Sequence, residues 1–182
     1  MAVFGQVVDT NVALHQLDLL EHNCPATSFI VVFQTVLEEL RKLNLSAFRR
    51  LNHLMNNDTR MFIFLPNEHV AQTRIERQID ETMNDRNDRA IRTAAKWLKE
   101  QITEGELILL SNDKINRTKA QADGLVAMSM REYVSTFIED YPELMDLLAA
   151  TDEAAHADLG AENIYPEHLP VSELNAGIRS GR

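Results

Sequence analysis

Short apolar runs of strand length alternate along the chain with longer segments of helical periodicity, and this alternation restricts the fold most. Apart from Gln6 in the first run, these runs carry no polar side chain, which is typical of strands covered on both faces. Strands of this kind, separated by helices, form parallel sheets with right-handed crossovers. We therefore predict an α/β fold of three layers, α/β/α, with a central parallel sheet of about five strands. The predicted strands are 4–8, 29–33, 61–65, 107–110 and 125–128.

Segments with apolar residues at helical spacing fill the intervals between the predicted strands. Gly124 suits the end of one helix, and Ser129 and Glu132 have the spacing of a capping box for another. The predicted helices are 12–20, 35–43, 46–56, 88–101, 114–122 and 142–150.

Acidic residues are concentrated toward the C-terminal end. The formal net charge is −10, but 11 of the 28 acidic residues lie in 132–178, where Lys and Arg do not occur. Residues 1–131 are therefore nearly neutral, and the net charge does not exclude binding to a nucleic-acid backbone. We predict one domain over residues 1–150, followed by an acidic segment at 151–182.

Cysteine usage and hydropathy exclude several classes of protein. The single cysteine, Cys24, cannot form an intrachain disulfide, which is consistent with a reducing compartment. No apolar run approaches the roughly 18 residues that span a bilayer, and the N-terminus lacks the layout of a signal peptide. We expect no membrane partner and no secretion.

Two acidic residues directly follow predicted strands. Asp9 begins the triplet Asp9-Thr10-Asn11, and Asp113 ends the triplet Ser111-Asn112-Asp113. The carboxyl ends of parallel strands are where ligands collect in open sheets. An isolated triplet of this kind also has a simpler explanation, since Asp and Asn are common turn and helix-cap residues.

Two further acids lie at the borders of amphipathic helices. Glu39 lies between the apolar face and the solvent face of helix 35–43, whereas Glu38 points to solvent. Asp88 has the same border position on helix 88–101, in what is predicted to be its first turn, where the helix dipole favours a negative charge. Taken singly, the alternatives are a solvated helix flank for Glu39 and that dipole effect for Asp88.

Together, the four acids can converge on one rim of the sheet. Clustered carboxylates repel one another, and a hard divalent cation relieves the repulsion. Oxygen-only ligands favour Mg²⁺ or Mn²⁺ over zinc, and one or two such ions serve phosphate chemistry. We therefore predict Asp9, Glu39, Asp88 and Asp113 as catalytic metal ligands.

Polar neighbours and a basic flank complete the predicted site. Asn11 and Asn112 are expected to orient water or carboxylates, with Thr10 and Ser111 as further candidates for the same role. The arginines beside Asp88 are predicted to contact phosphates, although a solvated helix face is the alternative explanation for them. These arginines are Arg86, Arg89 and Arg92.

The order Asp, Glu, Asp, Asp on an α/β chain resembles the PIN domain family, whose members are nucleases with a central parallel sheet. The match extends to the PIN domain of the catalytic, RNase-II-type subunit of eukaryotic RNA exosomes. Residues 167–181 resemble the lead-in to a cold-shock domain in those proteins, so 151–182 is expected to be an acidic linker to a domain missing here. The matching segments within the predicted domain are 8–12, 31–40, 84–92 and 111–117.

This resemblance implies an endonuclease that cuts single-stranded RNA, favours Mn²⁺, docks onto the exosome core subunits and acts chiefly in the nucleus, with some cytoplasmic presence. It assigns metal binding to the same four acids. One alternative is a tethering module with a vestigial metal site, which holds a larger exoribonuclease on the exosome core. Another is a small-molecule phosphatase, although the DxD motif of the common aspartyl-phosphate enzymes is absent.

Overall fold

The central sheet consists of five strands in the order β3-β2-β1-β4-β5, in a computed structural model that describes residues 3–57 and 61–148. Every neighbouring pair of strands is parallel. The predicted three-layer α/β fold is confirmed, and the predicted strand limits are within one residue of those observed. The strands are β1 Val3–Val8, β2 Phe29–Phe33, β3 Met61–Leu65, β4 Glu106–Leu110 and β5 Val126–Met128.

The direction in which the chain adds strands reverses at β1. The chain first proceeds outward through β2 and β3, and then returns to the other side of β1 to form β4 and β5. Val8 at the end of β1 is in register with Leu110 at the end of β4. In open parallel sheets the crevice beyond such a switch point is the usual ligand site. Residues that follow β1 and β4 therefore lie at the most favourable position for a functional site.

Helices cover both faces of the sheet. Helices α1 to α4 pack against one another, whereas α5 packs against β4 and α6 against β5. Right-handed crossovers on the two sides of the switch point place these two groups on opposite faces. The helices are α1 Thr10–His15, α2 Leu17–Glu21, α3 Gln34–Leu43, α4 Leu45–Met55, α5 Met83–Gln101, α6 Lys114–Ala122, α7 Met130–Ser135 and α8 Leu144–Leu147.

The prediction of one helix over 12–20 is wrong, because two short helices meet at Gln16. Gln16 leaves the helical conformation, with φ −113° and ψ 23°, while its N–H still donates to the carbonyl of Val12 at 2.9 Å. Val12 before the break and Leu20 after it are both buried in the core. Hydrophobic spacing alone does not reveal such a break, since both halves keep an apolar face.

The long helix α5 begins at Met83, five residues before the predicted start at Asp88. Thr82 caps it, since its Oγ1 accepts the N–H of Asp85 at 3.1 Å. Asp88 therefore lies in the second turn, and its predicted stabilisation by the helix dipole is wrong because that effect is confined to the first turn. Asp85 occupies the first turn instead.

The C-terminal part of the described chain contains less helix than expected. Of the predicted helix 142–150, only Leu144–Leu147 is helical, and positions 149 and 150 lie outside the described residues. The predicted acidic linker 151–182 also lies outside them. The predicted cap of α7 is confirmed as a capping box between Ser129 and Glu132. Gly124 ends α6 with a φ of +83°, a conformation that glycine adopts without strain.

The hydrophobic core lies on both faces of β1, β2 and β4. Its largest fully buried side chains include Phe33 and Ile91, and the hydroxyl of Tyr133 donates to the carbonyl of Ala26 at 2.9 Å. Burying a side chain of this size contributes about 1.5–3 kcal/mol. Within the described residues, no helix combines the length and apolar character needed to cross a membrane.

Candidate functional site

Asp9 directly follows β1 at the switch point of the sheet. Its N–H donates to the carbonyl of Leu110 at 3.1 Å, which extends the pairing of β1 with β4 by one residue. Its Oδ1 accepts the N–H of Val12 at 2.8 Å and so caps α1. The side chain is also hydrogen-bonded to Ser111, and the residue is only 2% exposed. The sequence explanation of Asp9 as a helix cap is therefore correct, but it does not explain why the cap is buried beside a second strand end.

Asp113 follows β4 and begins α6. Its Oδ1 accepts the N–H groups of Ile115 at 2.7 Å and Asn116 at 3.1 Å, and its own N–H donates to Ser111 Oγ at 3.2 Å. Ser111 is fully buried and contacts both Asp9 and Asp113. One hydroxyl group thus connects the acids that follow the two central strands.

Glu39 lies on α3 and faces α1. Its Oε2 accepts the hydroxyl of buried Thr10 at 2.7 Å, and α3 packs against both α1 and α5. Glu38 is exposed and accepts a hydrogen bond from the Gln34 side chain on the same helix at 2.7 Å. The predicted contrast between a border position for Glu39 and a solvent position for Glu38 is confirmed.

Asp88 projects from α5 toward the start of α6. Its Oδ1 lies 3.5 Å from Nδ2 of Asn116, a long contact, and Asn116 is 1% exposed. Asn116 Oδ1 in turn accepts Nη1 of Arg92 at 2.6 Å. Arg92 is buried as well, and its Nε lies 3.4 Å from Asp123 Oδ2. A connected set of polar groups therefore supports Asp88 from the interior side.

The electrostatic environment of Asp9 indicates that acids from different elements lie close together. The pKa of Asp9 is raised to about 6, chiefly because burial disfavours the charged form. Hydrogen bonds from Ser111 and from the N–H of Val12 lower this pKa, and the negative charges of Asp113 and Glu39 raise it. Asp9 therefore experiences the charges of carboxylates that come from α3 and from the end of β4.

Asp88 experiences the same group of charges. Its pKa is raised to about 7, again chiefly by burial, and further by the carboxylates of Asp9 and Asp113. Arg92 lowers this pKa, and Glu39 adds a smaller increase. Asp88 thus experiences the charges of the other three predicted acids, and Asp9 those of Asp113 and Glu39, which indicates that the four lie near one another.

The carboxylate oxygens of the four acids are not arranged around one common point in the described residues. Across residues 3–57 and 61–148, no three His, Cys, Asp or Glu side chains are placed so as to hold a metal ion. Asp9 and Asp113 direct Oδ1 to helix N-termini, and Glu39 directs Oε2 to Thr10. The donor set is nevertheless suited to a hard cation, because all four groups offer carboxylate oxygen ligands.

The polar neighbours predicted to assist the acids fall into two pairs. Thr10 and Ser111, the weaker candidates in the sequence, both contact acids of the cluster. Asn112 Oδ1 accepts the N–H of Met130 at 3.0 Å and secures the start of α7, so its predicted role toward the acids stays a prediction. Asn11 is exposed on α1.

The three arginines predicted to contact phosphates have partners within the chain. Arg86 forms two bonds of 2.6 Å with Glu68, and Arg89 forms two bonds of 2.7 Å with Glu81. Arg92 is buried against Asn116. Arg86 and Arg89 thus fasten α5 to the loop 66–82 that precedes it, and phosphate contact by any of the three stays a prediction.

Sequence reasoning did not identify Asn116 as part of the site, nor the structural role of Arg92. A sequence signal exists for Asn116, since it stands three residues after the capping Asp113 and so faces the same side of the first turn of α6. Arg92 gives no such signal, because a lone arginine on an amphipathic helix is usually solvated.

Comparison with known proteins agrees with this geometry. The model of the family described as "PIN domain" matches residues 6–131, a range that includes all four acids. The chain belongs to the PIN domain family. This confirms the resemblance drawn from the order and positions of its acids.

Relatives of this PIN domain are known among exosome proteins. It is 41% identical to the mouse (Mus musculus) and 40% identical to the human (Homo sapiens) exosome complex exonuclease RRP44, over 95% of the chain in each case. The corresponding homologue A of Arabidopsis thaliana is 36% identical over 96% of the chain. The PIN domain spans only 18–19% of the length of these relatives.

Solved structures show the same fold. The T. brucei RRP44 PIN domain aligns with a TM-score of 0.65 and 22% identity, covering 80% of this chain and 85% of that one. A PilT N-terminus domain protein of Sulfolobus solfataricus aligns with a TM-score of 0.50 and 15% identity, covering 75% and 95%. At these identities the likeness concerns the fold alone.

Proposed function

We propose that this PIN domain is a divalent-metal-dependent endoribonuclease that hydrolyses internal phosphodiester bonds of single-stranded RNA. The observation that carries the proposal is the position of the four acids around the switch point of the sheet, where Asp113 and Glu39 act electrostatically on both Asp9 and Asp88. Four carboxylates held together in a partly buried site cost free energy unless a cation is present.

These four acids are the residues that would hold one or two Mn²⁺ or Mg²⁺ ions. Bound there, such an ion would lower the pKa of a water molecule and stabilise phosphate oxygens during in-line displacement. The residues of the chain itself have two tasks. Thr10 and Ser111 orient Glu39 and Asp9 through hydrogen bonds. Burial and the neighbouring carboxylates raise the pKa of Asp88 to about 7, so a cation held beside it would favour its charged form.

The biological context of the proposal comes from the relatives, which are named exosome complex exonucleases. We place this domain on the exosome core subunits, in RNA processing and decay, chiefly in the nucleus with some cytoplasmic presence. Exonuclease activity is not proposed for the domain, because it spans less than a fifth of those relatives.

Incubation with a circular single-stranded RNA tests the reaction, because only an endonuclease opens a circle. We expect cleavage with Mn²⁺ that stops with EDTA and in Glu39→Gln. Glu38→Gln is the matched control, since Glu38 is the neighbouring exposed acid on the same helix. Cleavage that persists in Glu39→Gln, or without metal, would refute the proposed mechanism.

A tethering module is the second candidate function, and one observation favours it. Among the described residues, no three ligating side chains are arranged around a common ion. A tether predicts that the RNA circle stays closed with every metal, while the domain still binds purified exosome core. Turnover of a phosphomonoester in place of the circle would instead indicate a small-molecule phosphatase.

A further inference from the structure

Asn116 lies between two of the four acids, on the first turn of α6. Its backbone N–H donates to Asp113 Oδ1 at 3.1 Å, and its side-chain Nδ2 faces Asp88 Oδ1 at 3.5 Å. We propose that Asn116 is a positioning residue, oriented by Arg92, that fixes Asp88 relative to Asp113 so that both can bind the same divalent cation. This inference rests on the proposed nuclease function and names a further residue that its metal site requires.

The orientation of the Asn116 amide follows from its neighbour. A guanidinium group only donates hydrogen bonds, so the atom of Asn116 that meets Arg92 Nη1 at 2.6 Å must be the oxygen. The amide nitrogen therefore points to Asp88, and it can donate only to an oxygen that accepts. Arg92 thus decides that Asn116 presents a donor, and not a second acceptor, to the Asp88 carboxylate.

Burial makes this arrangement rigid. Asn116 is 1% exposed and Arg92 is 7% exposed, so water does not readily replace either partner. On its other side Arg92 forms an ion pair without a hydrogen bond, because its Nε lies 3.4 Å from Asp123 Oδ2 at the end of α6. The polar chain therefore joins α5 to both ends of α6 and fixes the position of one helix relative to the other.

The chemistry of the acids explains why such a device is needed. Asp88 and Asp113 both contact Asn116, so their carboxylates lie close enough to repel each other when both are charged. Asp88 and Asp113 belong to different elements, and repulsion would move them apart before an ion arrives. A donor from Asn116 to each of them opposes this movement and preserves a separation that one cation can bridge.

The first test compares Asn116→Ala with Thr118→Ala, an exposed position on the same helix. Mn²⁺ affinity is measured by titration calorimetry, and cleavage of circular RNA is measured with saturating Mn²⁺. Partners that support metal ligands are typically worth about 10- to 100-fold in metal affinity. We expect a loss of that size in Asn116→Ala and no change in Thr118→Ala, with the cleavage rate largely restored at high Mn²⁺.

A double-mutant cycle distinguishes positioning from a general structural effect. Arg92→Lys keeps the positive charge but lacks the planar group that meets the Asn116 oxygen. If Arg92 acts through Asn116, the double variant loses no more Mn²⁺ affinity than the single variant that has the larger loss. Multiplication of the two losses would mean independent effects and would overturn the inference.

The outcomes also separate this inference from the proposed function. If the wild type neither binds Mn²⁺ nor opens the circle, the proposed function itself fails. If the wild type does both and Asn116→Ala retains full Mn²⁺ affinity, only the positioning role is wrong. Thermal melting in EDTA identifies any variant that does not fold. If Asn116→Ala does not fold, Arg92→Lys tests the contact between Arg92 and Asn116 by changing its other partner.

Discussion

Burial of Asp9 among other acids makes the stability of the domain depend on pH. Its pKa is about 6 in the folded chain, compared with 3.8 for the ordinary group, so the folded state holds a proton more tightly than the unfolded state. Below the unfolded pKa both states are protonated and nothing is lost. As the pH rises through the folded pKa, the folded state must accept an unfavourable charge, and stability falls.

The first prediction is therefore that Asp9→Asn gains stability relative to the wild type as the pH rises. Without metal, we expect the difference in free energy of unfolding to change by about 2 kcal/mol between pH 4.5 and 8. Asparagine caps helices about as well as aspartate, so α1 keeps its cap. Urea unfolding in EDTA at the two pH values gives the measurement. A constant difference would mean that Asp9 is not held in an unfavourable environment.

Asp113 offers a way to separate its two roles, since it both caps α6 and lies among the acids. The second prediction is that Asp113→Asn keeps the melting temperature in EDTA but binds Mn²⁺ at least about tenfold more weakly. Asp113→Ala, in contrast, also loses about 0.5–2 kcal/mol of stability with the cap. Thermal melting and Mn²⁺ titration of both variants provide the comparison. Unchanged Mn²⁺ affinity in Asp113→Asn would leave the residue as a cap only.

At the scale of elements, the loop 66–82 connects the helices that carry Glu39 and Asp88. Glu68 on this loop accepts the hydroxyl of Thr35 on α3 and two bonds from Arg86 on α5, each at 2.6 Å. The guanidinium of Arg86 holds the pKa of Glu68 below its usual value. Through Glu68, the loop thus links α3 to α5 by side-chain hydrogen bonds.

The third prediction concerns this ion pair, whose two side chains are only 14% and 17% exposed. We expect Arg86→Met to lower the free energy of unfolding by about 1–3 kcal/mol, because it leaves a largely buried carboxylate unpaired. Arg50→Met is the control, since Arg50 forms an exposed pair with Asp18 and is expected to cost less than about 1 kcal/mol. Urea unfolding measures both. A fully stable Arg86→Met with weaker RNA binding would instead support the phosphate contact predicted from the sequence.

The sequence was sufficient for the elements with continuous or periodic apolar patterns. The limits of β2 and β3 were predicted to the residue, because 29–33 and 61–65 are bounded by polar or proline residues. The start of α5 was missed because its first turns, 83–87, are polar apart from Met83 and carry no apolar stripe. The break at Gln16 was missed because it depends on how the two short helices pack against α3 and α4.

The same distinction applies to the site. Asp9 and Asp113 were predictable from the strand ends, and Glu39 and Asp88 from their border positions on helices. The contact between Arg92 and Asn116 was not, because it depends on the packing of α5 against α6, which no local pattern encodes. Such packing also decides that Arg86 and Arg89 bind acids of the chain, where the sequence suggested a basic surface.

At the scale of the whole molecule, the four acids come from four separate elements that surround the switch point of the sheet. Asp9 and Asp113 follow β1 and β4, while Glu39 and Asp88 lie on α3 and α5. An unfolded chain cannot bring such distant residues together. Any ion that binds all four therefore binds the folded state alone and stabilises it by mass action.

The fourth prediction is that Mn²⁺ at 100 times its dissociation constant raises the free energy of unfolding by about 2.7 kcal/mol. For a domain of this size, this corresponds to roughly 5–10 °C in melting temperature. At one fixed Mn²⁺ concentration, the shift is expected to be larger at pH 8 than at pH 6, because protons compete with the ion at Asp9 and Asp88, whose pKa values are about 6 and 7.

Each of the four acids should be necessary for this stabilisation, because each comes from a different element. Thermal melting of Asp9→Asn, Glu39→Gln, Asp88→Asn and Asp113→Asn, with and without Mn²⁺, measures their contributions. Glu38→Gln should keep the full shift, since Glu38 is exposed on the outer side of α3. A Mn²⁺ shift that survives in all four variants would place the ion elsewhere on the molecule. The raised pKa values of Asp9 and Asp88 would then be a cost of the fold that no cation relieves.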